Sequence, residues 1–244
     1  MKLWNSIALL LVLTCSFGGA SYAKLNPKSL DNRLVMAVNS GDSAQVQSLL
    51  QRGANVNARD DDGSTALLVC AEQAWFDNKR IEIARMLLAR GASVDVHNKY
   101  GTTALMRAAV NDWPELVNLL LAKGAKIEAR DKKGETALLQ SAGGVTTEIG
   151  TQLSVSDSVQ LLLRRSANVH ARDDTGQTAL MLAAKTDEED EGHREAAFES
   201  AQYLLWRGAD VNAVSKNGNT ALKWVRARHY LKLVRLLQRA GATK

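Results

Sequence analysis

Residues 101–134, GTTALMRAAVNDWPELVNLLLAKGAKIEARDKKG, form one complete unit of a repeating chain. The opening motif of this unit, Gly-x-Thr-Ala-Leu, recurs with its threonine at Thr65, Thr103, Thr136, Thr178 and Thr220. A second landmark, a glycine followed by alanine, ends units at Gly53, Gly91, Gly124, Gly208 and Gly241. Self-similarity with a period of about 20–50 residues is typical of solenoid proteins.

The unit 101–134 predicts two helices joined by a short turn. Thr103 is expected to cap the first helix through its hydroxyl, and Asp112 the second, with Pro114 in its first turn and Glu115 completing a capping box. Gly124 is expected to end the second helix with left-handed backbone. Apolar residues spaced three and four apart are predicted to face the core: Leu105, Ala108, Ala109, Leu116, Val117, Leu119, Leu120 and Leu121.

The intervals between successive motif threonines, 38, 33, 42 and 42 residues, show where the repeats differ. Each terminal glycine stands 10 residues before the next Gly-x-Thr, so the extra residues must lie between the threonine and the terminal glycine. We predict that they are inserted between the two helices of repeats 2, 4 and 5. Ser166 replaces the terminal glycine of the fourth unit, where left-handed backbone costs a non-glycine residue on the order of 1 kcal/mol.

The 33-residue interval and the motif resemble the ankyrin repeat, whose own motif is Thr-Pro-Leu-His-x-Ala. Here alanine replaces the proline and no clear repeat keeps the histidine. The resemblance covers residues 31–242 and implies an all-α solenoid of six helix-turn-helix repeats, stabilised by stacking and joined by β-hairpin loops. The expected repeat bounds are about 31–60, 61–98, 99–131, 132–173, 174–215 and 216–244.

Residues 1–23 have the features of a signal peptide, with Lys2, an apolar stretch over 7–13 and the small-x-small sequence Ser21-Tyr22-Ala23. Cleavage is expected after Ala23, which leaves 24–244 as the repeat domain. The apolar stretch is far shorter than the roughly 18–20 residues needed to cross a bilayer. We therefore expect no membrane span, and a chain located in the periplasm of a Gram-negative bacterium or secreted. Its remaining cysteine, Cys70, is predicted to be a buried core thiol.

The resemblance also implies where a partner protein binds. In ankyrin proteins a partner usually lies against the concave surface formed by the hairpin tips and the first helices. Carried over by position, this surface includes Asp62, Lys99, Tyr100, Lys132 and Lys133 at the tips, and Glu72, Val110, Asn111 and Lys185 on the first helices. Tyr100 is the strongest candidate because amphipathic aromatic residues are enriched at binding hot spots. The alternative is that these residues form ordinary solvated surface.

A second candidate is the opposite edge, where the insertions emerge. Trp75 and Phe76 fall in the insertion of repeat 2, and Trp113 falls in the same connection of repeat 3. These three residues either anchor a partner or pack over the helix ends as a small satellite core.

The remaining patterns favour non-enzymatic binding. No Gly-x-Ser-x-Gly, His-Glu-x-x-His or phosphate-binding loop occurs, so neither catalysis nor a cofactor is expected. The acidic run DEEDE at 187–191 allows a metal-binding or small-molecule-binding alternative but lacks the EF-hand spacing. We expect a monomer that binds a protein partner and no nucleic acid. A rival hypothesis is an immunity or inhibitor protein that occludes a toxin or an enzyme.

Overall fold

The computed structural model describes residues 29–72, 78–143, 157–185 and 191–243. Within these residues the secondary structure is helical and without strands, apart from three isolated antiparallel bridges in the hairpins. The first helices of the repeats are α1 (Leu30–Ser40), α3 (Ala66–Glu72), α5 (Ala104–Val110), α7 (Ala137–Ala142), α9 (Ala179–Ala184) and α11 (Ala221–Ala227). The second helices are α2 (Ser43–Gln51), α4 (Asn78–Ala89), α6 (Pro114–Ala122), α8 (Asp157–Arg164), α10 (Glu191–Trp206) and α12 (Leu231–Arg239). The predicted all-α repeat fold is confirmed; the predicted signal peptide lies outside the described residues.

The core is continuous because neighbouring repeats stack helix on helix. Each first helix packs against the next first helix, each second helix against the next second helix, and the two helices of a repeat against each other. The third repeat contributes side chains that are at most 2% exposed: Leu105, Ala108, Ala109, Leu116, Val117 and Leu120. Leu119 and Leu121, which were also predicted to be core residues, are only partly buried because they flank the buried stripe of α6.

The first helices begin at the motif threonine, as predicted. The Thr103 hydroxyl accepts a hydrogen bond from the backbone N–H of Met106, at 3.3 Å, and so caps α5. Thr136, Thr178 and Thr220 cap the following first helices in the same way. The recurring threonine therefore marks the start of these helices, because its oxygen satisfies an N–H group of the first turn.

The prediction that Asp112 is the N-cap of α6 is wrong. Trp113 is the N-cap of α6, Pro114 is its first residue, and no side chain caps this helix, so the capping box with Glu115 does not form. Asp112 has a positive φ of 48°, and its carboxylate accepts hydrogen bonds from the backbone N–H groups of Asp157 and Ser158 at the start of α8. Asp112 therefore caps the second helix of the next repeat instead of its own.

The second helices end in left-handed backbone. Gly124 follows α6 with a φ of 88°, and Ser166 follows α8 with a φ of 70°, so Ser166 does occupy the strained conformation expected at the glycine position. The fourth repeat thus carries a conformational cost that the glycine-ended repeats avoid.

Buried polar groups join the first two repeats. Arg80, on α4, is only 5% exposed, and its guanidinium donates hydrogen bonds to the carbonyl oxygens of Val38 and Asn39 at the end of α1, at 3.1 and 3.0 Å. Cys70 is fully buried, as predicted, and its Sγ donates to the carbonyl of Arg80 at 3.5 Å. The charge of Arg80 is thus placed at the C-terminal end of α1, where the helix dipole favours a cation.

The insertions are placed between the first and second helices, as predicted. The connections run from Glu72 to Asn78, from Ala142 to Asp157 and from Ala184 to Glu191, whereas only residues 111–113 join α5 to α6. In repeat 5 part of the added length extends the helix itself, because α10 has 16 residues whereas α6 has nine. The last repeat supports this extension: the Tyr230 hydroxyl donates to the carbonyl of Arg194 at 2.7 Å, and Lys232 pairs with Glu195.

Candidate functional site

In four of the hairpin tips between repeats, a side chain near the start of the turn holds two backbone N–H groups. In the tip between the second and third repeats, the Asn98 side-chain oxygen accepts hydrogen bonds from the backbone N–H groups of Tyr100 and Thr102, at 3.0 and 3.1 Å. Asp60, Asp131 and Asp173 bind the equivalent N–H groups of their own tips. A short polar side chain five residues before the motif threonine therefore fixes the shape of these tips.

Backbone hydrogen bonds also join each tip to the next one. The N–H of Lys99 donates to the carbonyl of Asp62 at 2.7 Å, and the N–H of Lys132 donates to the carbonyl of Tyr100 at 3.0 Å. The same bond recurs from Asp174 to Lys133 and from Lys216 to Thr175. The tips thus form a continuous row. We call the surface made by this row and the adjoining exposed side of the first helices the hairpin face.

The predicted tip residues lie together at the centre of the hairpin face. Tyr100 is 54% exposed, and the Lys99 ammonium lies 5.1 Å from the centroid of its ring. Lys99 also pairs with Asp62 of the preceding tip at 2.5 Å, and this hydrogen bond raises the pKa of Lys99. Lys132 and Lys133 are exposed and pair with no acid in the part of the chain that the structure describes. The centre therefore combines an exposed aromatic ring with two exposed ammonium groups.

The first-helix residues that were predicted to face a partner are engaged within the protein. Val110 is partly buried, and Asn111 donates its side-chain N–H to the carbonyl of Ala71 at 2.9 Å, so Asn111 connects neighbouring repeats. Glu72 lies 3.7 Å from the Nε of Arg107, at ion-pair distance. Burial raises the pKa of Glu72 even though Arg107 favours its charged form. Asn111 and Glu72 therefore contact neighbouring repeats, although their positions in the sequence would assign them to the binding of a partner.

The position four residues after the motif threonine adds to the hairpin face in the third, fourth and sixth repeats, whereas Val69 and Leu182 are buried there in the other two. Sequence reasoning missed this position. Its occupants are Val69, Arg107, Gln140, Leu182 and Trp224. Gln140 reaches the hairpin, where its amide donates to Asp131 at 2.9 Å. Trp224 is partly buried, with the Lys185 ammonium 5.5 Å from its ring centroid. The sequence does carry a signal for this position, which is its variation between repeats: aliphatic, amide, basic and aromatic residues all occur there.

The insertion edge, defined by the connections between first and second helices, gives a different result. Trp113 is 4% exposed and belongs to the hydrophobic core, so the partner-anchor interpretation is wrong for this residue and the packing alternative fits. Trp113 directly precedes α6, and its side chain is part of the core. Trp75 and Phe76 lie outside the described residues, as does most of the acidic run 187–191. Elsewhere in the described ranges no three His, Cys, Asp or Glu residues converge as a metal site.

Comparison with known proteins identifies the architecture. A family model for ankyrin repeats (3 copies) matches residues 34–131, 73–149, 114–197 and 150–244. No curated protein matches the chain in sequence. None of the described helices is long and apolar enough to cross a membrane.

Three solved structures share the fold over most of the chain. The ankyrin-repeat protein EF0377 is 24% identical with a TM-score of 0.68, and the match covers 86% of this chain and 98% of that chain. The ankyrin repeat domain ABAYE2397 from Acinetobacter baumannii AYE is 27% identical with a TM-score of 0.68, again over 86% and 98%. A chain from the complex of the Bd0816 predatory endopeptidase of Bdellovibrio bacteriovorus with immunity protein Bd3460 is 24% identical with a TM-score of 0.69, over 87% and 99%.

The family matches extend together from residue 34 to residue 244, and the stacked helix pairs and linked hairpin tips agree with them. The chain belongs to the ankyrin-repeat family.

Proposed function

We propose that this chain is a periplasmic module that binds a partner protein through its hairpin face. The ankyrin-repeat fold is in general a non-enzymatic interaction scaffold. The observation that carries the proposal is the centre of the hairpin face, where exposed Tyr100 stands beside Lys132 and Lys133, which are exposed and form no ion pair with an acid of the described ranges. An exposed ring flanked by cations favours a partner with an acidic surface that buries the tyrosine.

The backbone geometry makes this surface suitable for tight binding. Tyr100 is held from both sides, because its N–H donates to Asn98 and its carbonyl accepts from Lys132. A partner therefore meets a tip that is already ordered, so little backbone entropy is lost at this tip on binding. Because rim charges mainly affect the association rate, Lys132 and Lys133 are expected to speed binding at low salt.

The proposal is tested by replacing Tyr100 with a photo-crosslinking amino acid in living cells and identifying the attached protein. The control places the same amino acid at Leu231, which is 64% exposed in the last repeat. The identified protein is then purified and titrated against Tyr100→Ala and Lys133→Glu, each expected to weaken binding about tenfold or more. Lys123→Glu, an equal charge change at the end of α6, should have little effect. Equal losses from Lys123→Glu and Lys133→Glu would show that the hairpin face is not the binding surface.

The periplasmic location is tested separately. We expect the protein from the periplasmic fraction to begin at Lys24, which N-terminal sequencing detects. Protein that keeps residues 1–23 and remains in the cytoplasmic fraction would contradict this location, and would leave the binding proposal unaffected.

A second candidate function is that of an immunity or inhibitor protein. The observation behind it is the fold shared with a chain from the complex between an endopeptidase and its immunity protein. The identified partner would then be an enzyme or toxin, and a one-to-one complex would abolish its activity. A partner that stays fully active when saturated with this protein would reject the inhibitory function while retaining the binding function.

A further inference from the structure

Trp206 is exposed on the side of the molecule formed by the second helices, away from the hairpin face. It is the last residue of α10 and is 74% exposed. The buried side of α10 is made by Ala197, Ser200, Ala201 and Leu204. Trp206 stands two positions before the terminal glycine of its repeat, Gly208. The same position in the other repeats, two residues before the terminal glycine or Ser166, holds Gln51, Ala89, Ala122, Arg164 and Arg239. Alignment on that position shows that only repeat 5 puts an aromatic ring there.

The tryptophan is held by its neighbours. The ring of Tyr203 lies one helical turn away, with the two ring centroids 5.3 Å apart and the planes inclined by 45°. The Arg207 guanidinium lies 6.0 Å from the Trp206 ring centroid and donates a hydrogen bond to the carbonyl of Leu163 in the preceding repeat. An exposed aromatic residue that is ordered in this way loses little side-chain freedom when a partner covers it.

Arginines surround this aromatic pair. Arg207 donates its hydrogen bond to the carbonyl of Leu163, the residue directly before Arg164. Burial alone would raise the pKa of Tyr203, but the neighbouring Arg207 and Arg164 lower it. Arg164 and Arg239 hold the positions equivalent to Trp206 in the repeats before and after it, and both are exposed. This part of the second-helix side thus carries three arginines, Arg164, Arg207 and Arg239, while Glu199 and Asp210 are the acids nearest to Trp206 in the sequence.

We propose that Trp206, Tyr203, Arg164, Arg207 and Arg239, together called the Trp206 patch, form a second docking surface that binds an acidic segment of a partner protein. Trp206 is the anchor, and the arginines receive the carboxylates of the segment. Trp, Tyr and Arg are the residue types most enriched at binding hot spots. The planar guanidinium matches a carboxylate with two parallel hydrogen bonds.

The same observations favour a protein segment over an anionic lipid surface. Membrane-surface binding depends on a broad apolar face that enters the lipid, whereas the Trp206 patch offers one large apolar side chain. Arg207 and Arg164 are also held in place, Arg207 by Leu163 and Arg164 by the Gln160 side chain at 3.4 Å. Fixed guanidiniums suit directional pairing with carboxylates better than diffuse attraction to a charged bilayer.

The test is a titration of the purified protein, with ¹⁵N-labelled tryptophan indoles, against a short acetylated peptide of aspartate and glutamate around one phenylalanine. The Trp206 indole signal, assigned from Trp206→Phe, is expected to move while that of buried Trp113 does not. Trp206→Ala and Arg164→Glu should each weaken binding about tenfold or more, as for hot-spot residues. Arg90→Glu, the same charge change at the exposed residue after α4, is the matched control and should change affinity less than about twofold.

Two further measurements, one on Tyr100→Ala and one with lipid vesicles, separate the possible outcomes of this titration. Tyr100→Ala should leave peptide binding at the Trp206 patch intact, so this inference and the role of the hairpin face can fail independently. No movement of the Trp206 signal, or equal losses from Arg90→Glu and Arg164→Glu, would overturn the Trp206 patch as a specific site. Movement with phosphatidylglycerol vesicles and none with the peptide would overturn the choice of a protein segment in favour of a membrane surface.

Discussion

Substitution of Gly101 by alanine is predicted to destabilise the protein far more than substitution of Gly124, although both have left-handed backbone. Their φ angles are 83° and 88°. A Cβ atom at Gly124 would meet nothing within 4 Å. A Cβ atom at Gly101 would lie 2.8 Å from the backbone nitrogen of Lys132 and 2.9 Å from the Cα of Asp131, in the next hairpin tip. Comparing the two variants therefore isolates the close approach of neighbouring tips.

The expected sizes follow from these distances. Gly124→Ala introduces only the strain of left-handed backbone, which lowers the free energy of unfolding by about 1 kcal/mol. Gly101→Ala introduces the same strain and must also push the next tip away. This displacement further lowers the free energy of unfolding, by about 1–3 kcal/mol as in an overpacked core, and weakens the hydrogen bond from Lys132 to Tyr100. The smaller entropy of the unfolded alanine chain affects both variants equally and cancels in the comparison.

Urea denaturation followed by circular dichroism measures both losses, provided that the dependence on urea concentration is the same for the two variants. Equal losses, within about 0.5 kcal/mol, would refute the claim that the tips are packed backbone to backbone. A loss at Gly101 that exceeds the loss at Gly124 by at least about 1 kcal/mol supports it.

Three further predictions concern positions away from the tips. Ser166→Gly should relieve the strained backbone and stabilise the protein by up to about 1 kcal/mol, raising the melting temperature by about 2–4 °C, whereas Ser166→Ala should give no gain. Arg80→Met removes the donors to the carbonyls of Val38 and Asn39, and should cost about 2–3 kcal/mol and speed hydrogen exchange in α1 but not in α11. Burial raises the pKa of Tyr230 from its usual 10 to about 12, so its contribution to stability is complete below pH 10 and is lost as the pH rises toward 12. An absorbance titration should show one late tyrosine that disappears in Tyr230→Phe.

Features that depend on the chemistry of a single repeat were predictable from the sequence. Thr103 caps its own helix and Gly124 ends the following one, because each acts on backbone groups within a few residues of itself. The aliphatic stripe of α6 follows from helical periodicity alone. Left-handed backbone at Ser166 could also be predicted, since the repeat register places this residue at the helix-ending position.

Features that depend on the next repeat were not predictable in the same way. Asp112 has the sequence context of a local cap yet caps a helix more than 40 residues later in the chain. Asn111 has the position of a binding residue yet is used to join Ala71 to the stack. In both cases a polar side chain can satisfy either a local or a neighbouring backbone group, and only the stacking distance decides between them.

The constant and variable parts of the repeat explain where binding differences can arise. The hairpin segment cannot easily change length, because an added residue would break the tip-to-tip hydrogen bonds such as Lys132 to Tyr100. The connection before the second helix can grow at small entropic cost, and α10 shows that added residues can also become helix. The hairpin face and the Trp206 patch both lie on the constant part. Under the two proposals, binding specificity therefore comes from substitution at fixed positions: Tyr100 stands where the preceding tip has Asp62, and Trp206 stands where the preceding repeat has Arg164.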